Sequence, residues 1–134
     1  MTAQGAAIVR AFWAAMNSND WRAVAERFLA PDFTAFWPQS AKVIEGPEAF
    51  VHVNAGFAGQ GDWRFEILSL AAEAGGARVV TDIRVTNAGL DVSTRAITFH
   101  EIGGDLIHRQ TEFWPDPYPV PAWGEGLLTD HPLQ

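Results

Sequence analysis

From residue 63 to residue 114 the chain repeats its hydrophobic pattern every second position. Four β-favouring stretches, 63–72, 77–87, 90–102 and 105–114, are separated by Ala74-Gly75-Gly76, Ala88-Gly89 and Gly103-Gly104. Short glycine-bearing connections admit only antiparallel neighbours, because parallel strands need a crossover of about a dozen residues or more. The pattern therefore predicts a four-stranded meander whose side chains alternate between two faces. Any fold for this chain has to be built around it.

The first half reads at helical spacing. Thr2 can cap a helix in which Ile8, Phe12 and Ala15 or Met16 recur, with Val9 and Trp13 widening the stripe. Asn17, Ser18, Asn19 and Asp20 break it and cap a second helix carrying Trp21, Val24, Ala25, Phe28 and Leu29. Ala30-Pro31-Asp32 ends that helix, since the residue before a proline is pushed out of helical geometry. A short strand at 33–37 and a polar loop follow. Gly46-Pro47-Glu48 then opens a third helix running to about Ala58, with proline at the first helical position and an acid in the first turn. The order is α-α-β-α-β-β-β-β, an α+β domain with helices on one face of a sheet. Beyond Trp114, Pro115, Pro117, Pro119 and Pro121 lack backbone donors and force an extended surface tail over 115–134.

At 134 residues with no linker-like shift in composition, the expectation is one domain, 1–134. Nine Lys and Arg set against a net charge of −7 argue against a nucleic-acid partner. The absence of cysteine excludes disulfides, thiolate nucleophiles and cysteine-based metal sites. The opening residues lack a secretory pattern and no stretch reaches the length of a membrane span, so a cytoplasmic protein is expected. No His-x-His or HExxH spacing occurs, and no glycine-rich phosphate loop, so neither a metal nor a cofactor is expected.

On the last strand, alternation groups His108, Gln110, Glu112 and Trp114 on one face. If Gly103-Gly104 and Ala88-Gly89 are both two-residue turns, Arg95 falls opposite Glu112 and Asp82 opposite Arg95. Three neighbouring strands would then carry Asp82, Arg95 and Glu112 in one row, with Arg84 two residues beyond Asp82. A guanidinium can hold two acids whose mutual repulsion raises one pKa, so that one donates a proton and the other accepts one. The same row on a solvent face would be an ordinary surface ladder worth less than about 1 kcal/mol. A one-residue slip at either turn would scatter it.

The element order, with FLAPDFTAFWP after the second helix, GPEAF opening the third and GGDLIHRQTEFWPD at the end, resembles the NTF2-like superfamily, particularly its SnoaL-like, polyketide cyclase-like branch. The resemblance implies a cone in which three N-terminal helices pack on a curved, mostly antiparallel sheet around an apolar cavity. It also implies a homodimer formed through the sheet. The row resembles the Asp-Arg-Asp constellation of limonene epoxide hydrolases, with Glu112 at the position of that family's base. That family's water-holding Tyr and Asn, however, are replaced by apolar or small residues around Thr34 to Trp37. Ketosteroid isomerases match less well. Their base falls where Trp37 precedes Pro38, their oxyanion acid falls near Ile97, and neither residue here can move a proton.

Two functions stay open at this point. One is a cofactor-independent acid/base enzyme, of hydrolase, isomerase or cyclase type, acting on a small apolar or polyketide-like molecule. Its catalytic set would be Glu112, Asp82, Arg95 and Arg84, and its cavity would be lined by Trp13, Trp37, His52, Phe57, Ile97, Phe99, His108, Gln110 and Trp114. The other is a non-catalytic dimer that binds a small apolar ligand in the same cavity.

Overall fold

The computed structural model describes residues 2–56 and 61–132. Helix α1 (Thr2–Met16) and helix α2 (Trp21–Phe28) lead the chain, and the Asp20 side chain caps α2 by accepting from the Ala23 N–H. Strand β1 (Leu29–Trp37), strand β2 (Lys42–Glu45) and helix α3 (Pro47–Gly56) follow. The meander is β3 (Arg64–Ala72), β4 (Arg78–Asn87), β5 (Val92–Gly103) and β6 (Leu106–Phe113). The sheet order is β2-β1-β6-β5-β4-β3. Every adjacent pair is antiparallel except β1 and β6, which run parallel.

Two features of the first half depart from the sequence expectation. Strand β1 begins at Leu29, directly after α2, and the expected polar loop contains β2, which pairs back on β1. Only Val43 and Ile44 are apolar in β2, and the strand is largely exposed, so no alternation marks it. The element order is therefore α-α-β-β-α-β-β-β-β. In the tail, a short 3-10 turn at Ala122–Gly124 interrupts the extended run after Pro121.

The core lies between the helices and the inner sheet face. Val9, Phe12, Trp13 and Met16 from α1 meet Val24, Ala25 and Phe28 from α2 and Val79, Ile83, Val85, Ala96 and Ile107 from the sheet, all buried. Phe12 sits edge-on to Trp13 and Phe28, with ring centroids 4.9 and 5.9 Å apart. Gly5 lets α1 touch the β3–β4 turn, since a Cβ there would come within 2.0 Å of the Gly76 carbonyl oxygen.

The register of the meander overturns the predicted charged row. The β4–β5 connection is four residues, not two: a 3-10 turn at Ala88–Leu90 and left-handed Asp91, with the Asn87 side chain accepting from the Leu90 N–H. Asn87 thus pairs with Val92, which brings Arg84 opposite Arg95 and Asp82 opposite Ile97. At the β5–β6 connection Gly103 pairs with Leu106, and then a bulge inserts His108, so that Ile102 faces Ile107 but Glu101 faces Arg109. Glu112 consequently lies opposite Thr98 instead of Arg95. That displacement is odd, so Glu112 points to the inner face while Asp82, Arg84 and Arg95 stay on the outer one.

Candidate active site

Glu112 is 8% exposed and lines a cavity of about 60 Å³. The inner sheet face contributes Gln110 and Glu112 from β6 and Val85 from β4, and the helices supply Phe12, Trp13, Met16, Trp21, Phe50, Val53 and Asn54. Five of the six tryptophans, Trp13, Trp21, Trp37, Trp63 and Trp114, line it. Among the described lining residues there is no Lys, Arg or His, and Glu112 is the only titratable side chain.

Three elements hold the carboxyl in place. Thr98, its cross-strand partner, donates its hydroxyl to Glu112 Oε2 at 2.7 Å. Trp114, two residues on from Glu112, donates its indole N–H to Oε1 at 3.0 Å. Trp37 on β1 meets Trp114 edge-to-face, with centroids 6.3 Å apart. Burial pushes the Glu112 pKa above its ordinary 4.5, and the Thr98, Trp114 and Trp37 donors oppose that rise by favouring the anion. The Trp37 N–H lies near enough to contribute to that field, yet it is buried with no hydrogen-bond partner of acceptable geometry.

Behind the cavity a second polar chain crosses the core. Gln110 Nε2 lies 3.2 Å from His100 Nδ1, His100 Nε2 lies 3.0 Å from Thr81 Oγ1, and Trp13 donates to Thr81 Oγ1 at 3.1 Å. With Gln110 donating through its amide nitrogen, the imidazole carries its proton on Nε2 and gives it to Thr81. Full burial lowers the His100 pKa to about 3, so the ring is neutral. Its function is to fix the Gln110 amide at the cavity wall.

The predicted site divides accordingly. Glu112, Gln110, Trp13, Trp37 and Trp114 meet at the cavity. Asp82 and Arg95 form an outer-face ion pair, with Arg95 Nε donating to Asp82 Oδ1 at 2.9 Å and a second, closer contact between Nη2 and Oδ2. Arg84 pairs with Glu66 at 2.7 Å on that same face. Ile97 and Phe99 also face outward, and Phe99 packs against Phe113 at 6.5 Å. His108, carried out of line by the bulge, reaches Asp32 at 3.2 Å near the surface. His52 is largely exposed and contacts Glu48, four residues earlier on α3. Phe57 lies outside the described residues. Thr98 and the Thr81–His100 link went unrecognised in the sequence, because only the true register shows which β5 residues share the face of Glu112. Among the described residues no group of three or more His, Asp or Glu side chains is placed to hold a metal ion.

Three helices closing a mixed six-stranded sheet over an apolar cavity with one buried acid define a class, the small α+β cones of NTF2-like, or cystatin-like, type. Within that class the chain belongs to the SnoaL-like domain family, whose model matches residues 9–110. No curated protein matches it in sequence. Among solved structures, it is similar to a protein from Kribbella flavida DSM 17836 provisionally described as a ketosteroid isomerase. That pair shares 27% identity over 99% of this chain and 93% of the other, with a TM-score of 0.85. It also resembles an LEH-like epoxide hydrolase of M. tuberculosis, at 18% identity over 85% and 84% of the two chains and a TM-score of 0.70. A protein from Jannaschia sp. CCS1, provisionally described as a SnoaL-like polyketide cyclase, is 20% identical over 85% and 87% of the chains, with a TM-score of 0.69. The two matches below one quarter identity establish the fold alone.

Proposed function

We propose that the protein is a cofactor-independent enzyme in which one carboxyl, Glu112, moves a proton within a small, predominantly apolar substrate. The observation that carries this reading is the isolation of Glu112. Among the described lining residues it is the only titratable side chain, and the groups that hydrogen-bond it, Thr98 and Trp114 among them, are neutral. Burial raises its pKa towards the operating range of a general acid/base, so it can take a proton from carbon and return it.

A single group of this kind suits an isomerisation, in which the proton leaves one carbon and returns to another. It equally suits a cyclisation, in which the resulting carbanion attacks a carbonyl and Glu112 returns the proton to the new alkoxide. Hydrolysis of an epoxide by paired acids fits less well, since Asp82, Arg84 and Arg95 are on the other face. The cavity volume argues for a small substrate. About 60 Å³ is less than half of the roughly 150 Å³ engineered cavity that accommodates benzene, so a steroid would not be enclosed without rearrangement.

The test is exchange of acidic C–H protons of small cyclic ketones and 1,3-diketones with solvent deuterium. Wild type should accelerate exchange, and Glu112→Gln should remove at least about a hundredfold of that rate, the usual scale of general-base catalysis. Equal exchange by the two proteins would rule the reading out.

The absence of a second titratable group also favours a runner-up, a non-catalytic pocket for a small apolar ligand. We further infer that two copies pair through the outer face of the sheet. Val80, Ile97, Phe99 and Phe113 form a half-buried apolar patch there, among ion pairs of both signs.

A further inference from the structure

We propose that the cavity is also a site for a small alkylammonium cation, whose positive head pairs with Glu112 while the aromatic walls enclose its alkyl body. This goes beyond the proposed reaction, because it concerns binding and holds whether or not Glu112 turns a substrate over. In the proposed enzyme such a cation occupies the base and so inhibits it.

The polar atoms that the walls leave free are acceptors. Gln110 gives its amide nitrogen to His100 at 3.2 Å, and Asn54 gives its own to the Phe50 carbonyl at 2.9 Å. No described residue donates to the side-chain carbonyl oxygen of either one, and both line the cavity. The indole N–H groups of Trp13 and Trp114 are turned to Thr81 and to Glu112. A ligand that meets these groups well has to bring donors.

Charge then selects among donors. A hydroxyl satisfies an acceptor but leaves the ionised, desolvated carboxyl of Glu112 without a countercharge. An ammonium supplies that countercharge together with its N–H donors. Where burial has kept Glu112 protonated, the cation displaces that proton to solvent, so the pair forms with one proton released. The walls favour a cation as well. Trp13 and Phe65 lie nearly parallel, 26° apart, Trp21 stands across Phe65 at 87° and Trp114 across Trp37 at 68°, so an occupant meets ring faces as well as ring edges. Ring faces are the negative part of the aromatic quadrupole and attract a desolvated cation. The net charge of −7 draws cations towards the molecule. A carboxylate or phosphate, by contrast, would face Glu112 with no Lys, Arg or His among the described lining residues. The cavity volume of about 60 Å³ holds the alkyl body to a few carbon atoms.

The experiment titrates three probes of similar shape, isopropylammonium, 2-propanol and isobutyrate, into the full-length protein by NMR at constant ionic strength. Isopropylammonium should bind at least about tenfold tighter than 2-propanol, isobutyrate should not bind, and intermolecular NOEs from the isopropyl methyl groups to indole ring protons should place the cation in the cavity. Glu112→Gln should weaken isopropylammonium about tenfold and leave 2-propanol within about twofold. The idea is overturned if 2-propanol binds as tightly as the cation, if the cation binds without those NOEs, or if it fails to bind up to about 0.1 M. The three-probe comparison on wild type decides even where the variant folds poorly. Because the probes report binding without turnover, ammonium binding with no ketone exchange would remove the proposed reaction alone, and exchange with no ammonium binding would remove this inference alone.

Discussion

Glu112 and His100 sit on the inner face of neighbouring strands, and burial acts on their charges in opposite senses. Glu112 keeps its proton in the folded protein at pH values where the unfolded chain has lost it. Its contribution to stability is therefore complete below about 4.5 and is lost as pH rises through the raised folded value. His100 behaves inversely. The unfolded imidazole takes up a proton below 6.5 while the folded one resists until about 3, so its contribution falls as pH drops across that window. A one-proton difference corresponds to about 1.4 kcal/mol per pH unit, and the two slopes offset each other where they overlap above 4.5. Glu112→Gln removes one of them. In urea melts the variant should gain on wild type steadily as pH rises from 4.5, and a flat or falling difference would show that Glu112 is not desolvated.

At the level of elements, β6 decides where the chemistry sits, and it is also where legibility in the sequence ended. The four strands of the meander, the three helices and the glycine-bearing turns were readable, because periodicity and local breakers are properties of neighbouring residues. The grouping of Gln110, Glu112 and Trp114 on one face was readable for the same reason, since no irregularity falls between them. Register was not readable. Asn87 capping a 3-10 turn lengthens the β4–β5 connection, and the His108 bulge adds a residue to β6, and neither leaves a periodic trace. Strand β2 is a short, exposed edge strand with no alternation to mark it, and the parallel pairing of β1 with β6 depends on long-range contacts that no local pattern encodes.

The same register leaves Ile97, Phe99 and Phe113 together on the outer face. If that face is where copies meet, wild type sediments as a dimer, and Phe99→Glu shifts it to monomer with the cavity intact. A wild-type monomer at micromolar concentration would contradict the arrangement.

For the molecule as a whole, α1, α2 and α3 close over the inner sheet face, and five tryptophans line the cavity that holds one buried carboxyl. The charged groups that the sequence grouped with it, Asp82, Arg84 and Arg95, are on the opposite side of the sheet. Everything proposed about reaction and substrate follows from that separation. The most direct test is a carboxyl-carbon NMR titration of Glu112 in wild type and in Asp82→Asn. A lone desolvated acid should titrate in a single step above the ordinary glutamate value, and the Asp82 substitution should leave that step unchanged. An ordinary Glu112 titration, or a step that moves when Asp82 loses its charge, would contradict the account.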